Sequence, residues 1–292
     1  MRPRKKKILI TGGAGFIGSH LVAGLLKRGD CEVYSLDNYS TGKEENHIAG
    51  AAYARGDTRD IERLITIKPD VVFHLGEYSR VEKSFDDMER VWESNAAGTF
   101  RVLEFCRKRG IKMVYAGSST KFGDGGLGRD QSPYAWTKAS NTDLVRNYGS
   151  WFGLPYAITY FYNVYGPREI STGPYATVIG IFKEQYRAGK PLTVVSPGTQ
   201  VRNFTHVDDI VAGLIAVGDA GEGDEYGLGA EASYSILDVA QMFGAPITML
   251  PERKGNRMSA SVNTARARHE FGWTARRALE DHIKEFVHAV HR

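Results

Sequence analysis

The sequence predicts an α/β fold, in which a doubly wound parallel sheet with helices on both faces is followed by a smaller C-terminal lobe. Short β-rich runs alternate with amphipathic helical patterns from the N-terminus onward, an order typical of βα units. After about Tyr162 the pattern becomes irregular, with turn pairs such as Gly166-Pro167. The 292 residues suffice for one large domain or for two that share an interface. We expect a first domain over 1–162 and a substrate-binding lobe over 163–292, with 205–220 packing back on the first domain.

The first βα unit has the clearest pattern. Lys7–Thr11 is predicted to be a strand, and Phe16–Arg28 a helix, because apolar residues such as Leu21 and Leu25 recur on one helical face. Gly29 ends this helix. The same reasoning predicts the later elements, in chain order: strand Glu32–Leu36, helix Ile61–Ile67, strand Val71–Leu75, helix Ala97–Arg109, strand Lys112–Ala116, helix Pro133–Trp151, strand Ala157–Phe161 and helix Asp208–Ala216.

Composition excludes several classes of protein. The net charge is +4, but five positive charges lie between Arg2 and Lys7, so the rest of the chain lacks the basic face that nucleic-acid binding needs. Cys31 and Cys106 are too few for a disulfide scaffold and lack the spacing of a zinc site, so we expect a reducing, cytoplasmic location and no metal. The apolar stretch Ile210–Val217 is far shorter than the ~20 residues that span a bilayer, so we expect no membrane partner.

A glycine-rich turn lies between the first predicted strand and helix. Gly12 to Gly18, with the sequence GGAGFIG, lets the backbone turn tightly and approach a pyrophosphate, whose charge the helix N-terminus stabilises. Asp37, at the end of the next strand, can accept hydrogen bonds from a ribose diol and would repel a 2′-phosphate. The pattern therefore favours NAD as cofactor, while Asn38 and Thr41 leave NADP open. The alternative is a plain glycine turn beside a surface aspartate.

A second motif begins the helix predicted at Pro133. Ser132 is placed to cap this helix and Pro133 suits its first position. Tyr134 and Lys138 are four residues apart and share a helical face, so the ammonium favours the ionised phenol, which can act as a general base. Ser118, at the carboxyl end of a predicted strand, is a candidate hydrogen-bond partner for the reacting oxygen. The alternatives are an exposed helical pair and a polar turn.

With these motifs the sequence resembles the extended short-chain dehydrogenase/reductase family, and within it the NAD-dependent nucleotide-sugar epimerases and dehydratases of the UDP-glucose 4-epimerase kind. The resemblance extends over nearly the whole chain and implies a Rossmann-type first domain. Further similar blocks are Leu36 to Gly42, Gly56-Asp57, Phe73 to Gly76, Asn95 to Thr99, Tyr162 to Arg168, Arg202 to Asp209 and Arg253 to Asn256. His74 and His206 lie inside such blocks and are expected to be structural.

The resemblance implies a role for each matched residue. Ser118, Tyr134 and Lys138 would be catalytic. Cofactor binding would involve Gly12, Gly15, Phe16, Ile17, Gly18, Asp37, Asn38, Ser40, Thr41, Gly42, Asp57, Thr58, Leu75, Gly76, Glu77, Asn95, Tyr134, Lys138 and Tyr162. Substrate binding would involve Ser118, Ser119, Asn163, Arg202 and Arg253; arginine is the residue type that grips a diphosphate by two parallel charge-assisted bonds.

Three departures from the family pattern bear on the reaction. The stretch Ser118 to Thr120 has no carboxylate where the 4,6-dehydratases carry their acid and base, which disfavours elimination of water. Glu77 stands where the family has a small residue; it would touch the hexose, replace a missing acid or base, or cap the next helix, and capping is favoured. The interval from Ser118 to Tyr134, which contains the glycine-rich segment Gly123 to Gly128, is shorter than usual and affects the shape of the sugar pocket.

The resemblance implies C4 epimerisation of a nucleoside-diphosphate hexose, with a UDP-sugar favoured, through hydride transfer to and from bound NAD. Alternatives are a nucleotide-sugar C4 reductase or dehydrogenase, a 4,6-dehydratase that uses Glu77, and a non-catalytic dinucleotide-binding sensor or scaffold. The family also implies a homodimer formed through two helices of each subunit, here Asn95–Arg109 and Pro133–Trp151.

Overall fold

A parallel sheet of seven strands forms the centre of the molecule in a computed structural model, which describes residues 4–122, 128–252 and 262–291. In chain order its strands are β1 (Lys6–Thr11), β2 (Cys31–Asp37), β3 (Ala51–Arg55), β4 (Val71–His74), β5 (Lys112–Ser118), β6 (Tyr156–Phe161) and β11 (Gly223–Leu228). Their spatial order is β11-β6-β5-β4-β1-β2-β3, and every pairing is parallel. The order reverses between β1 and β4, which is where such sheets bind ligands.

Helices cover both faces of this sheet. They are α1 (Phe16–Arg28), α2 (Ile61–Leu64), α3 (Met88–Val91), α4 (Gly98–Arg109), α5 (Pro133–Phe152) and α7 (Val207–Ala220), and a π-helical turn over Trp92–Ala97 joins α3 to α4. Among the described residues, no helix has the length and hydropathy that crossing a bilayer would require. The doubly wound α/β architecture predicted from the sequence is confirmed.

Alternation along β1 shows how the strands bury both faces. Ile8 and Ile10 pack into a core with α1 and α7, and Leu9, which points the other way, packs into a second core with α4 and α5. All three side chains are buried. Because both faces are covered by helices, the strand is apolar throughout, which is the pattern of a central parallel strand.

The remaining elements follow β6 in sequence and form the C-terminal lobe, except the helix Ala265–Phe271, whose Ala267 packs in the core of the sheet with α7 and β11. They are β7 (Val164–Tyr165), α6 (Val178–Arg187), β8 (Leu192–Val195), β9 (Val201–Asn203), β10 (Thr205–His206), β12 (Ser233–Ser235), α8 (Ile236–Met242), β13 (Ile247–Leu250), α9 (Ala265–Phe271) and α10 (Leu279–Val290). Three two-stranded pairs, β10-β7, β12-β9 and β13-β8, brace it. A third apolar core, which includes Phe182, Phe243 and Ile283, lies beneath them.

The chain crosses from the lobe back to the sheet. Helix α7 places Ile210 and Leu214 in the same core as Ile10 of β1, and β11 then pairs with β6 at the edge of the sheet. Asp209 links this helix to the C-terminal segment, since its Oδ2 accepts the backbone N–H groups of Arg276 and Arg277, both at 3.0 Å. Residues 207–228 therefore belong to the layers of the sheet although they follow part of the lobe in sequence.

Candidate active site

A cavity of about 540 Å³ opens at the carboxyl ends of the central strands, beside the reversal of strand order. It receives residues from the ends of β2 and β5, from the turns that follow β1 and β4, and from the start of α5, and its far wall comes from the lobe. The sequence-predicted site residues that line it are Gly12, Gly15, Phe16, Ile17, Gly18, Asp37, Asn38, Ser40, Thr41, Thr58, Leu75, Gly76, Glu77, Ser118, Ser119, Tyr134, Lys138, Asn163 and Arg202.

The turn after β1 and the start of α1 require glycine at two positions, Gly12 and Gly18. Gly12 has a φ of +76°, and a Cβ there would lie 2.9 Å from the Cα of Gly76 at the end of β4. A Cβ at Gly18 would lie 2.0 Å from the carbonyl oxygen of Gly12. Gly15 caps α1 without any side-chain hydrogen bond, so the first backbone N–H groups of the helix face the cavity uncovered. This is the arrangement that binds a pyrophosphate.

Asp37 closes the turn from the end of β2. Its side chain is buried, Oδ2 accepts the N–H of Ala14 at 2.9 Å, and Oδ1 accepts the N–H of Tyr39 at 2.8 Å. Each carboxylate oxygen keeps a second lone pair, so the group can also accept hydrogen bonds from a ribose diol. Gly42 lies behind it, since a Cβ there would be 2.9 Å from Oδ1 of Asp37.

A series of hydrogen bonds through Asn38 and Asp57 forms the adjoining end of the cavity. Asn38 accepts the N–H of Ser40 at 3.0 Å and donates to Oδ2 of Asp57 at 3.2 Å. Asp57 in turn caps the short turn Thr58–Asp60 by accepting the N–H of Arg59 at 2.9 Å. Asp57 thus supports the wall and Thr58 reaches the cavity.

Some predicted site residues do not line the cavity. Asn95 lies behind the wall, where its Oδ1 accepts the N–H of Tyr78 at 2.7 Å and its Nδ2 donates to Thr137 at 3.2 Å. Tyr162 is buried beside β6. Gly42 and Asp57 support lining residues as described above. Arg253 and most of the predicted glycine-rich loop lie outside the described residues.

Tyr134 and Ser118 meet at the floor of the cavity. The phenol of Tyr134 donates to Oγ of Ser118 at 3.3 Å, and Thr120 lies 2.8 Å from the same Oγ through its hydroxyl. Ser132 caps α5 by accepting the N–H of Ala135 at 3.1 Å, as the sequence predicted. The cap and Pro133 therefore fix the helix start so that Tyr134 points over the end of β5.

Glu77 is not a helix cap, and the favoured interpretation of this residue was wrong. Its side chain is only 3% exposed and forms an ion pair with Lys138. Its Oε1 also accepts hydrogen bonds from Thr99 at 2.9 Å, Asn141 at 3.0 Å and Tyr115 at 3.2 Å. Donors on three separate elements converge on this carboxylate, so it turns inward under the cavity floor instead of toward the following turn.

The two conspicuous histidines have structural roles. His74 lies beneath Glu77, with Nδ1 2.7 Å from the hydroxyl of Thr11 and Nε2 2.9 Å from that of Thr99. Burial lowers the pKa of His74 to about 4, so the ring is neutral at physiological pH. His206 caps α7 by accepting the N–H of Asp208 at 3.2 Å, and burial lowers its pKa as well.

Sequence reasoning missed Arg80 and Tyr175. Arg80 lines the cavity, and its Nε donates to the carbonyl oxygen of Tyr175 at 2.8 Å. Burial lowers the pKa of the guanidinium, and the phenol groups of Tyr134 and Tyr78 act in the opposite direction. No short motif marks this contact because the two residues come from opposite halves of the chain.

Comparison with known proteins identifies the family. A model of the NAD dependent epimerase/dehydratase family matches residues 8–229. This chain belongs to that family. As a member of the epimerase/dehydratase family it takes NAD as its cofactor, and the bare glycine cradle, the uncovered N-terminus of α1 and the carboxylate of Asp37 fit that molecule.

Relatives in the epimerase/dehydratase family catalyse several reactions. The chain is 35% identical to a UDP-N-acetyl-alpha-D-glucosaminuronate decarboxylase of Bacillus cytotoxicus, over 81% of this chain and 79% of the relative. It is 33% identical to a UDP-glucose 4-epimerase of Mycolicibacterium smegmatis, over 96% of this chain and 97% of the relative. The solved UDP-glucose 4-epimerase of Thermus thermophilus in complex with NAD has a TM-score of 0.87 and 29% identity, over 98% of this chain and 99% of that one. Membership therefore establishes NAD-dependent nucleotide-sugar chemistry without selecting one reaction.

Proposed function

We propose that this chain is a 4-epimerase that interconverts two nucleoside-diphosphate hexoses, with a UDP-sugar as substrate. The observation that carries the proposal is the hydrogen bond from Tyr134 to Ser118 at 3.3 Å, in a cavity floor where residues 118–120 offer hydroxyls and no carboxylate. Such a floor suits proton exchange with a sugar hydroxyl and not elimination of water. The UDP-glucose 4-epimerase relative, matched over nearly its full length, supports the choice of nucleotide and reaction.

In the proposed reaction the protein moves a proton and holds the sugar. Tyr134 takes the proton from the C4 hydroxyl and later returns one to the same oxygen, while Ser118 orients that oxygen. Bound NAD supplies the hydride acceptor and donor for C4. Asn163 and Arg202 line the cavity and would hold the diphosphate while the hexose turns its other face to the cofactor.

A role for Glu77 as the acid or base of a 4,6-dehydratase is disfavoured. Protein donors surround its carboxylate, and only 3% of the side-chain surface is exposed. A base that removes a proton from carbon has to reach the substrate. A one-way C4 reductase or dehydrogenase would use the same Tyr134 and Ser118, so the two reactions are separated by experiment.

The test is to incubate the purified protein, without added cofactor, with UDP-, GDP-, dTDP- and CDP-hexoses and to follow the anomeric protons by NMR. A C4 epimer formed in excess of the protein supports the proposal. Turnover that begins only when NAD(P)H and a keto-sugar are supplied identifies a reductase, and stoichiometric consumption of added NAD identifies a dehydrogenase. A 4-keto-6-deoxy product identifies a dehydratase. If no sugar is converted although the cofactor is present, the remaining alternative is a non-catalytic dinucleotide-binding sensor or scaffold.

We also propose that the protein is a homodimer, built through α4 and α5 as the family resemblance implies. Trp92 and Trp136 stack with ring centroids 6.1 Å apart and are 50% and 43% exposed. Phe100 on α4 is 42% exposed. These three large aromatic side chains lie on adjacent helical segments and present apolar surface that a partner could bury. A second copy of the same helices would cover them by a two-fold contact.

A further inference from the structure

Lys138 has a buried carboxylate as its partner. Its Nζ donates to the carboxylate of Glu77 and to the carbonyl oxygen of Ala116, and its side chain is 6% exposed. The same Nζ lies 4.6 Å from the ring centre of Tyr115. The ammonium is therefore held by three groups of the protein itself at the floor of the cavity.

Glu77 is fixed just as firmly as Lys138. Thr99 of α4, Tyr115 of β5 and Asn141 of α5 donate to its Oε1, which leaves Oε2 for Lys138. Asn141 also donates to the carbonyl oxygen of Asn95 at 2.8 Å, which anchors that donor to the π-helical turn. Because its donors come from separate elements, the carboxylate has a fixed position. It therefore determines the position of the Lys138 ammonium.

The charges around Tyr134 follow from this arrangement. Glu77 and Lys138 together carry no net charge. His74 is neutral because burial lowers its pKa to about 4, and burial raises the pKa of Tyr115 well above its ordinary value. Arg80 and Glu82 also line the cavity. The unit positive charge expected of Lys138 beside the phenol is thus largely cancelled within the protein.

We propose that Glu77 is a positioning residue that acts as the fixed counter-ion of Lys138: it holds the ammonium at the cavity floor and cancels its charge, so that Tyr134 retains its proton to a higher pH than a tyrosine and lysine alone would give. The proposal rests on Tyr134 being the acid/base group of the proposed function. Its physical basis is the contact geometry of buried side chains. It makes Glu77 a regulator of proton transfer that does not touch the substrate.

The decisive variant is Glu77→Gln, which keeps an oxygen acceptor for Thr99, Tyr115 and Asn141 and removes the negative charge. Two measurements are made. The first is the pH dependence of kcat/KM, whose acid limb is expected to move to lower pH by about one unit. The second needs no substrate: the ultraviolet absorbance of phenolate is titrated in each protein and in the same protein carrying Tyr134→Phe, and the difference gives the ionisation midpoint of Tyr134.

Glu169→Gln is the matched control. Glu169 and Lys183 form another buried ion pair, 4% and 10% exposed and 2.7 Å apart, in the lobe. Breaking this ion pair should lower the stability of the protein to a similar extent. The acid limb of kcat/KM and the ionisation midpoint of Tyr134 should stay at their wild-type values. A shift of the same size in both variants would assign the Glu77 effect to general loosening and overturn the proposal.

A second variant removes both charges. In Glu77→Gln/Lys138→Met the phenolate midpoint is expected to return to within about 0.3 pH units of the wild type, because a neutral pair has been replaced by neutral side chains. If Glu77→Gln does not fold, Glu77→Asp takes its place. Its side chain is one methylene shorter, so the carboxylate lies farther from Lys138, and the ionisation midpoint of Tyr134 is expected to fall by a smaller amount. An unchanged or raised midpoint in the single variants refutes the proposal. If the wild type shows no turnover but Glu77→Gln still lowers the ionisation midpoint of Tyr134, only the proposed reaction is refuted.

Discussion

Asp37 accepts the backbone N–H of Ala14 through Oδ2 at 2.9 Å, and so a side chain at the end of β2 holds the turn that follows β1. The same carboxylate faces the cavity. One residue thus shapes the glycine turn and exposes carboxylate oxygens to the cavity, where we propose that they accept hydrogen bonds from a ribose.

Asp37→Ser is therefore expected to weaken NAD binding by about tenfold and to reduce the preference for NAD over NADP, since a hydroxyl accepts fewer hydrogen bonds and does not repel a 2′-phosphate. The NAD content of the purified protein and its dissociation constants for both cofactors measure the effect. Glu44→Gln, at an exposed carboxylate that pairs with Arg55 of β3, is the control and should leave both constants unchanged. Unaltered NAD binding in Asp37→Ser would contradict the assignment.

Tyr134→Phe is expected to lower kcat by at least about 100-fold, because general acid–base catalysis contributes ~10²–10⁴-fold. Among the described residues the removed hydroxyl donates to Ser118, in the lining of the cavity, so the fold should be retained. Tyr148→Phe removes a phenol from the same helix, one bonded to Glu104 at 2.9 Å outside the cavity, and should keep wild-type kcat. Activity of Tyr134→Phe within tenfold of the wild type would exclude Tyr134 as the base.

His74 should make the protein less stable in mild acid. Its folded-state pKa of about 4 lies below the unfolded value of 6.5, so the unfolded state binds the proton first as the pH falls. The stability contributed by the neutral ring is complete above pH ~6.5 and decreases toward pH ~4, by about 3 kcal/mol in all. Urea unfolding at pH 7 and pH 5 tests this. Between pH 7 and pH 5 the free energy of unfolding of His74→Gln should fall by about 2 kcal/mol less than that of the wild type. An equal fall in both proteins would contradict the assignment.

Trp92→Glu should convert the proposed dimer into a monomer, because Trp92 lies on the π-helical turn beside α4 and α5, where a charge would be buried between the copies. Sedimentation velocity measures the change in mass. Met249→Glu is the matched control, since Met249 is a 45% exposed apolar residue of β13 in the lobe, and it should leave the oligomeric state unchanged. A wild-type protein that already sediments as a monomer would refute the dimer.

Local patterns predicted the sheet and its helices well. Helix α1 has the predicted bounds because the turn glycines precede it and Gly29, with a φ of +77°, ends it. Strand β3 was missed because its sequence, AAYAR, is weakly apolar and lies at the edge of the sheet. The helical run from Met88 to Ala97 was also missed; its exposed Met88 and Trp92 interrupt the apolar periodicity that marks a helix packed on a core.

The site was predictable where its chemistry resides in one short segment. Tyr134, Lys138 and the glycine turn each follow from a local motif, and the structure brings them to one cavity. The role of Glu77 depends on Thr99, Tyr115 and Asn141, which come from three elements and carry no shared pattern in the sequence. Side chains that meet only after folding are the part that local reasoning cannot supply.

The return of residues 207–228 to the sheet limits how this protein can be re-engineered or evolve. Removal of the chain after β6 would strip the outer strand and the apolar side chains of α7 from one side of the nucleotide-binding layer. The lobe is therefore not a detachable module. A graft that exchanges it for a lobe with a different sugar preference has to leave 207–228 in place, together with α9 and Trp273, which pack in the same core. New specificity would therefore arise more readily from loop replacement than from domain shuffling.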